Sequence, residues 1–487
     1  MCECVFLDSP DGGVHAPSEG RGMSAVFDPL RLSMVSLDVA AAHRGTPQGI
    51  VQRQQTRLAA LLESTLLGSS LYRSLWPAGT TPGTALDQLP VVTRAQLMSN
   101  FDGWVTDPQL HFEALRAFTA DPTRIGAPWL DRYMVWESSG TSGQPGIFVQ
   151  DAQAMAVYDA LEALRRSPPP KPLMSSWYDP LGLNERTAFI GAIDGHFAST
   201  VSVRRLCAIN PWLARSTRSF SLLDPLPTLV KALNAFAPTS IATYPTAAAL
   251  LADEAARGAL HIRPREIWTG GEYLAPGVRA HITRHLGGTV RNSYGASEFL
   301  ALAWECAHGQ LHVNADWVIL EPVDEHFCPV PAGQPSSSVL LTNLANYVQP
   351  LVRYDLGDQV SLHAERCSCG SPLPVLQVQG RHDEPLVMCG RDGRLVTLLP
   401  MALSTILEEN AGVFDFHLRQ IDACTLELHL PLQGDDGHQA LARCSAELHA
   451  FASAMGLDTF EVHGKLGPST PRGRSGKACR IVACSTA

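Results

Sequence analysis

Apolar residues recur at helical spacing from Gly49 to Trp76, in GIVQRQQTRLAALLESTLLGSSLYRSLW, and predict an amphipathic helix. Downstream, LDQLPVVTRAQL carries a Thr93 placed to cap a second, short helix. From about Tyr133 the pattern changes. MVW, TAFIGAI, SIATYP, REIWTGG and TVRNSYG are short, β-rich apolar runs of the kind buried strands leave, and LPTLVKALNAF and TAAALLADEAARG are helical stretches packed between them. This alternation predicts an α/β class of fold built from several layers. SPPPKP at 167–172 reads as a connector. Near the end, FDFHLRQI, TLELHLPL and FEVHGKL read as strands and QALARCSAELHAFASAM as a helix, which makes a small α+β domain. The expected division is a disordered extension over 1–23, a large domain over 24–380 and a small domain over 381–487. The opening MCECVFLDSPDGGVHAPSEGRG has no helical or strand period, so Met1 and Met23 are both candidate starts.

A chain of 487 residues is long enough for two or three domains and an enclosed cleft. Its formal net charge of -10 argues against a nucleic-acid partner, because phosphate backbones need a basic surface. No apolar run is long enough to span a bilayer. The 12 cysteines are scattered and no secretory leader precedes them, which suits a reducing cytosol. Lysine occurs only at 171, 231, 465 and 477, so each one invites a question about its role.

The sharpest local feature is WESSGTSGQPG. Ser138, Ser139, Gly140, Thr141, Ser142 and Gly143 follow a predicted strand, and such small residues let backbone N–H groups close around phosphate oxygens. It is not a Walker A loop, because Gln144 and Pro145 stand where that motif needs lysine and a hydroxyl residue. A surface Ser/Gly turn is the plain alternative. In order come TGGE with Gly271 and Glu272, NSYGASE with Tyr294, Gly295, Ala296, Ser297 and Glu298, PLVRYDLGD with Arg353 and Asp358, GRHDE with Arg381 and Asp383, and RSGK with Lys477.

This ordered series resembles the core motifs of the adenylate-forming superfamily, and each motif has the form found in phenylacetate–CoA ligases and their relatives. The resemblance spans about residues 138–477, and the earlier SLYRSLW and LDQLPVVTRAQL share it. It implies a large adenylate-forming domain followed by a small mobile α+β domain. It further implies that the loop at 138–143 holds the β- and γ-phosphates of ATP, that Glu298 holds Mg²⁺, and that Gly271, Glu272 and Tyr294 border the adenine. Asp358 would accept hydrogen bonds from both ribose hydroxyls, a task suited to an ionised carboxylate. Arg381 would face the nucleotide, Asp383 would be the hinge, and Lys477 would neutralise charge at the α-phosphate during adenylation. Pocket-lining segments of the family correspond to FIGAIDGHFAS, with His196, and TYPTAAALL, with Tyr244. His196 as an ordinary hydrogen-bonded loop histidine is the alternative.

Cys306 and His312 lie in ECAHGQLH, and Cys367 and Cys369 form a C-x-C turn followed by Gly370. Three thiolates and one imidazole suit tetrahedral Zn²⁺, and a glycine after a close Cys pair is typical of a metal knuckle. Relatives in the family carry zinc at such positions, which implies a closed structural site, with His308 as an alternative to His312. The other cysteines are expected to be packing residues.

The expected reaction has two steps. A carboxylate attacks the α-phosphorus of MgATP and releases pyrophosphate; a thiol then displaces AMP from the acyl-adenylate. The resemblance favours an aromatic acid and CoA. The phosphopantetheine arm of an acyl carrier protein presents the same thiol and is the alternative acceptor, and a non-catalytic member of the fold is a further alternative. A homodimer is left open. A serine hydrolase is disfavoured by the lack of a G-x-S-x-G elbow.

Overall fold

In the computed structural model, the described residues are 26–138, 146–166, 185–363, 365–379, 385–390, 394–413, 416–457, 460–467 and 480–484. The proposed extension, the Ser139–Gly143 loop, the proline connector, Arg381, Asp383 and Lys477 therefore lie outside them.

The predicted first helix is present as two, Pro47–Gly68 and Ser70–Leu75. The break has a local cause: the Ser69 side chain accepts from Tyr72 N at 3.3 Å and donates to Gly103 O, so it starts a new helix. A preceding helix, Pro29–His43, escaped the sequence reading. Asp28 caps it and it packs on the helix Ala152–Arg165.

The centre is a nine-stranded sheet. Its parallel half runs, in spatial order, Thr217–Ser221, Thr187–Gly191, Ser240–Thr243, Glu266–Thr269 and Thr289–Ala296. Helices Leu226–Phe236, Pro245–Ala256 and Pro276–Leu286 connect these strands. From Thr289–Ala296 onward the sheet turns antiparallel, through Phe299–Glu305, Leu311–Val313, Val375–Gln379 and Gln359–His363. A separate three-stranded sheet, Val318–Val323, Ser338–Asn343 and Tyr354–Asp355, completes the large domain. The MVW run is a buried strand as expected, Met134–Ser138, and it pairs with Gly146–Gln150 in a hairpin apart from the central sheet. Its apolar run is that of a central strand because almost every residue of it is buried.

A buried ion pair fastens the helical layer to the antiparallel half. Arg165 donates to Asp316 at 2.6 Å with both side chains essentially inaccessible, and Arg57 stacks over Trp317 at 3.5 Å. Burial pushes the Asp316 carboxyl up and the Arg165 guanidinium down, so each depends on the other to stay charged. Asp316→Ala should cost about 3–5 kcal/mol in chemical denaturation, and adding Arg165→Met should recover much of it. A double variant no more stable than the single one would refute this account.

Beyond residue 385 a hairpin, Leu386–Cys389 with Leu395–Leu398, leads to a four-stranded sheet ordered Glu461–Leu466, Thr425–Leu430, His417–Gln420 and Ile481–Val482, crossed by the helix Gly434–Ala454. This is the predicted α+β unit. It shares one apolar cluster with the parallel half, where Leu399, Ala402 and Phe451 meet Leu222, Leu229 and Leu251. Among the described residues, no helix is long and apolar enough to cross a membrane.

Candidate active site and metal centre

Four neighbouring parallel strands end at the same edge, and each delivers a candidate residue there. His196 follows Thr187–Gly191, Tyr244 follows Ser240–Thr243, Gly271 and Glu272 follow Glu266–Thr269, and Tyr294 to Glu298 close Thr289–Ala296. In open α/β sheets, ligands bind beyond the carboxyl ends of the strands, where the chain is free of the ladder.

Glu298 sits at the point where the sheet changes from parallel to antiparallel. A bulge between Tyr294 and Ala296 turns the chain, and Gly295 is required there, because a Cβ would lie 2.0 Å from Leu300 O. Glu298 is 4% exposed. The Tyr354 hydroxyl donates to its Oε1 at 2.7 Å, and Arg94 Nη2 lies 3.8 Å from the same oxygen. Its main-chain oxygen accepts from Asn343, and the Trp136 ring N–H donates to Ser297 O. The site thus holds a fixed carboxylate beside a fixed guanidinium. Burial works against the charge on Arg94, yet Glu298 and Tyr354 hold its pKa above the ordinary value. Arg94 Nη1 is buried with no hydrogen-bond partner among the described residues.

Arg94 is a candidate residue of this site that the sequence did not single out. The segment preceding it runs alongside the RYDLGD motif: Val92 N donates to Arg353 O at 3.1 Å, and Asp355 N donates to Val92 O at 2.9 Å. Thr93 caps the helix Arg94–Ser99 as predicted, and so starts that helix with Arg94 beside Tyr354. The detectable signal was a strand-like PVV run ending in a helix cap.

The Tyr294 hydroxyl donates to Asp358 Oδ2 at 2.9 Å, joining two motifs that are 64 residues apart. Burial and the Asp358 charge push the Tyr294 pKa well up, which keeps this phenol a donor. Gly271 has φ +78 and faces the Tyr244 ring so closely that a Cβ would lie 2.9 Å from it. Glu272 turns to the start of the helix Pro245–Ala256, accepting from Thr246 N at 3.1 Å and Thr246 Oγ1 at 3.0 Å. Arg353 is structural, paired with Glu321 and donating to Leu89 O. His196 is buried, donates from Nε2 to Asp121 O at 3.1 Å and meets Phe118 edge-on. Its Nδ1 has no hydrogen-bond partner among the described residues.

Ser138 accepts from Gly146 N at 3.1 Å and closes the base of the Ser/Gly loop. Beside it, Glu137 accepts from the Thr119 hydroxyl, and burial raises its pKa. The small domain approaches this place through Ile406–Asn410. Glu408 pairs with Arg480 and lies within electrostatic reach of Arg94. Desolvation by the protein packed around it, together with the carboxylates of Glu137 and Glu408, pushes Glu409 up to about 7, although its side chain keeps access to solvent. A carboxyl whose folded pKa is raised contributes fully below its unfolded value, and the contribution fades as pH climbs through the folded one. Contact between the domains should therefore weaken from about pH 4.5 to about pH 7, and Glu409→Gln should flatten that slope in thermal melts. A slope unchanged by the substitution would remove Glu409 from this role.

The Cys–His cluster is gathered as expected. The ligand atoms of Cys306, His312, Cys367 and Cys369 all lie within 4.8 Å of one another. Cys306 and Cys367 sulfurs are 3.8 Å apart, and Cys369 Sγ is 3.3 Å from His312 Nε2. A tetrahedral ion with Zn–S bonds of about 2.3 Å separates two thiolates by about 3.8 Å, so the residues fit zinc. His312 Nδ1 donates to Leu373 O at 3.0 Å, which leaves the Nε2 lone pair for a metal. Backbone N–H groups of His308, Cys369 and Ser371 point at the three sulfurs. His308 itself is directed to Ser368, so His312 is the histidine of this set. Of the remaining cysteines, Cys444 is buried as expected for packing, whereas Cys328 and Cys484 are exposed, which corrects that expectation.

No family model matches the chain. It is 28% identical over 183 residues to the phenylacetate–coenzyme A ligase of Thermus thermophilus, covering 35% of this chain and 39% of that protein. It is 24% identical over 250 residues to Protein CapK of Staphylococcus aureus, covering 50% and 53% respectively. The matched part thus spans between about two-fifths and half of these curated relatives. Among solved structures, 2-hydroxyisobutyryl-CoA ligase in complex with 2-HIB-AMP and CoA in the thioesterification state gives a TM-score of 0.58 at 18% identity, covering 91% of both chains. The same ligase in the postadenylation state with R3-HIB-AMP gives 0.54 at 18% identity, covering 92% of both. The fold is therefore that of the adenylate-forming enzymes. In sequence, the chain is similar to these two curated proteins over half of its length or less.

Proposed function

We propose that the chain is an AMP-forming acid–thiol ligase that activates a carboxylic acid with ATP and transfers the acyl group to CoA. The observation that carries this reading is the convergence at one sheet edge of Glu298, held by Tyr354 and flanked by Arg94, with the Tyr294–Asp358 pair. A buried carboxylate is a hard anionic ligand, and Mg²⁺ usually takes one or two such groups with phosphates and waters. Glu298 would hold Mg²⁺, which supplies charge neutralisation on the triphosphate. Asp358, positioned by the phenol of Tyr294, would take the ribose, and Gly271, with Tyr244 packed against it, would border the base and acyl pockets. Gln144 stands where many superfamily members have lysine, and Arg94 Nη1 offers a charge at the same edge.

No enzyme nucleophile enters this reaction. Catalysis comes from holding the carboxylate in line with the α-phosphorus and from fixed charge at the developing anion. The Cys–His cluster would hold zinc structurally, its four protein ligands leaving no open position. An aromatic acid is the favoured substrate class, from the likeness to phenylacetate–CoA ligase. A carrier-protein thiol remains the second acceptor reading, since the terminal thiol is chemically the same. Acid-dependent ATP–pyrophosphate exchange over aryl and aliphatic acids, followed by transfer assays with CoA and with a loaded carrier, tests both levels. Absence of exchange across the whole panel would defeat the ligase reading and leave a non-catalytic member of the fold.

A further inference from the structure

We infer that Cys367 is an oxidation site for hydroperoxides, with Cys306 as its resolving thiol, so that the metal knuckle is a reversible dithiol–disulfide pair. The inference rests on the geometry of the Cys–His cluster and is independent of the ligase reading. Three observations carry it. The two sulfurs are 3.8 Å apart although 61 residues separate them in the chain, and they stand on opposite halves of the knuckle. Access is one-sided. Cys306 is buried, whereas Cys367 lines an open hollow of about 230 Å³ between the knuckle and the start of the helix Pro47–Gly68, with Thr46, Gln48, Arg366 and Ser371 on its walls. The third is the backbone on which each sulfur stands. Cys367 and Cys369 belong to a surface turn with Gly370 at φ +81, while Cys306 follows a strand of the central sheet.

Closing the bond means bringing the sulfurs from 3.8 Å to about 2.05 Å. The turn supplies that movement more readily than the sheet does. In the first step the Cys367 sulfur attacks the O–O bond of a hydroperoxide. Sulfur is oxidised to the sulfenic acid, and the peroxide is reduced to an alcohol, or to water for hydrogen peroxide. In the second step the Cys306 sulfur attacks the sulfenyl sulfur, and the departing hydroxide takes the thiol proton to leave as water. The net change is two thiols and one hydroperoxide to one disulfide, one alcohol and one water. Two of the four donors are then lost, so a bound zinc ion should leave. The strand Val375–Gln379, which pairs with Leu311–Val313 beside the knuckle, would lose that clamp.

The test uses the full-length protein treated with hydrogen peroxide, then alkylated and mapped by mass spectrometry without reduction. Zinc is measured by elemental analysis beforehand and by a chromophoric chelator during oxidation. The expected result is a Cys306–Cys367 linked peptide that grows in step with release of one zinc per chain and disappears on adding a dithiol reductant. The linked peptide forming in protein that contains no zinc would keep the oxidation site and refute the metal reading alone. Alkylatable Cys306 and Cys367 after the exposed Cys328 and Cys484 are fully oxidised would overturn the proposal, as would a Cys367–Cys369 link in its place. Cys306→Ser should drive Cys367 to the sulfinic acid, and the wild-type map decides the matter even if that variant does not fold.

Discussion

Glu298→Gln should lower acid-dependent ATP–pyrophosphate exchange by about a hundred- to a thousandfold while leaving the fold intact. The glutamine has the shape of glutamate and keeps an oxygen for the Tyr354 hydroxyl, which lies 2.7 Å from Glu298 Oε1. What disappears is the negative charge. That loss removes the ligand proposed for Mg²⁺ and leaves the Arg94 guanidinium, 3.8 Å away, without its nearest counter-charge. Two readouts separate these effects. A lost metal ligand shifts the magnesium dependence of exchange to higher concentrations, whereas an unbalanced Arg94 lowers the melting temperature and is relieved by adding Arg94→Gln. Near-normal exchange at low magnesium would show that Glu298 is a structural acid beneath the site and would remove the centre of the functional reading.

Most of the parallel half of the sheet was legible because such strands are covered on both faces and appear as unbroken apolar runs bounded by turn residues, whereas its edge strand Thr217–Ser221, half polar and only partly buried, was not read. Runs such as SIATYP and REIWTGG fall on Ser240–Thr243 and Glu266–Thr269. The antiparallel half was read only as motifs, because its strands depend on partners distant in sequence. His363 pairs with Val375, and Val375 in turn with His312. The same pairing decides between His308 and His312, which the local pattern ECAHGQLH could not do, since only His312 stands on the strand that brings the CSCG turn alongside. Arg94 was missed for a related reason. Its partners Tyr354 and Glu298 lie more than 200 residues away, and what joins them is a single stretch of main-chain pairing at Val92. The MVW run shows the opposite limit: burial is readable from composition, but the choice of pairing partner is not.

Lys477→Ala should abolish ATP–pyrophosphate exchange, by about a hundredfold or more, while thiol transfer from supplied acyl-adenylate continues. Three residues downstream, Arg480 pairs with Glu408 at 2.5 Å, and Ile481–Val482 adds a parallel strand to the small-domain sheet beside His417–Gln420. Glu408 and Glu409 are the small-domain groups that lie within electrostatic reach of Arg94 and Glu137. Three peptide units reach at most about 11 Å, so the tether begins from an anchor that already borders the proposed nucleotide site. Adenylation places new negative charge on the α-phosphate and the bridging oxygen, and an ammonium brought there lowers that barrier. Thiolysis of the finished adenylate involves no pentavalent phosphorus and should not need it. If the small domain turns to present a different face for the second step, the two half-reactions must respond differently to this one substitution. Equal loss of both would mean that Lys477 serves the small domain's fold or docking rather than phosphoryl chemistry, and Lys477→Arg would test this further, since a purely structural cation should be largely rescued by arginine while a precisely placed ammonium should not.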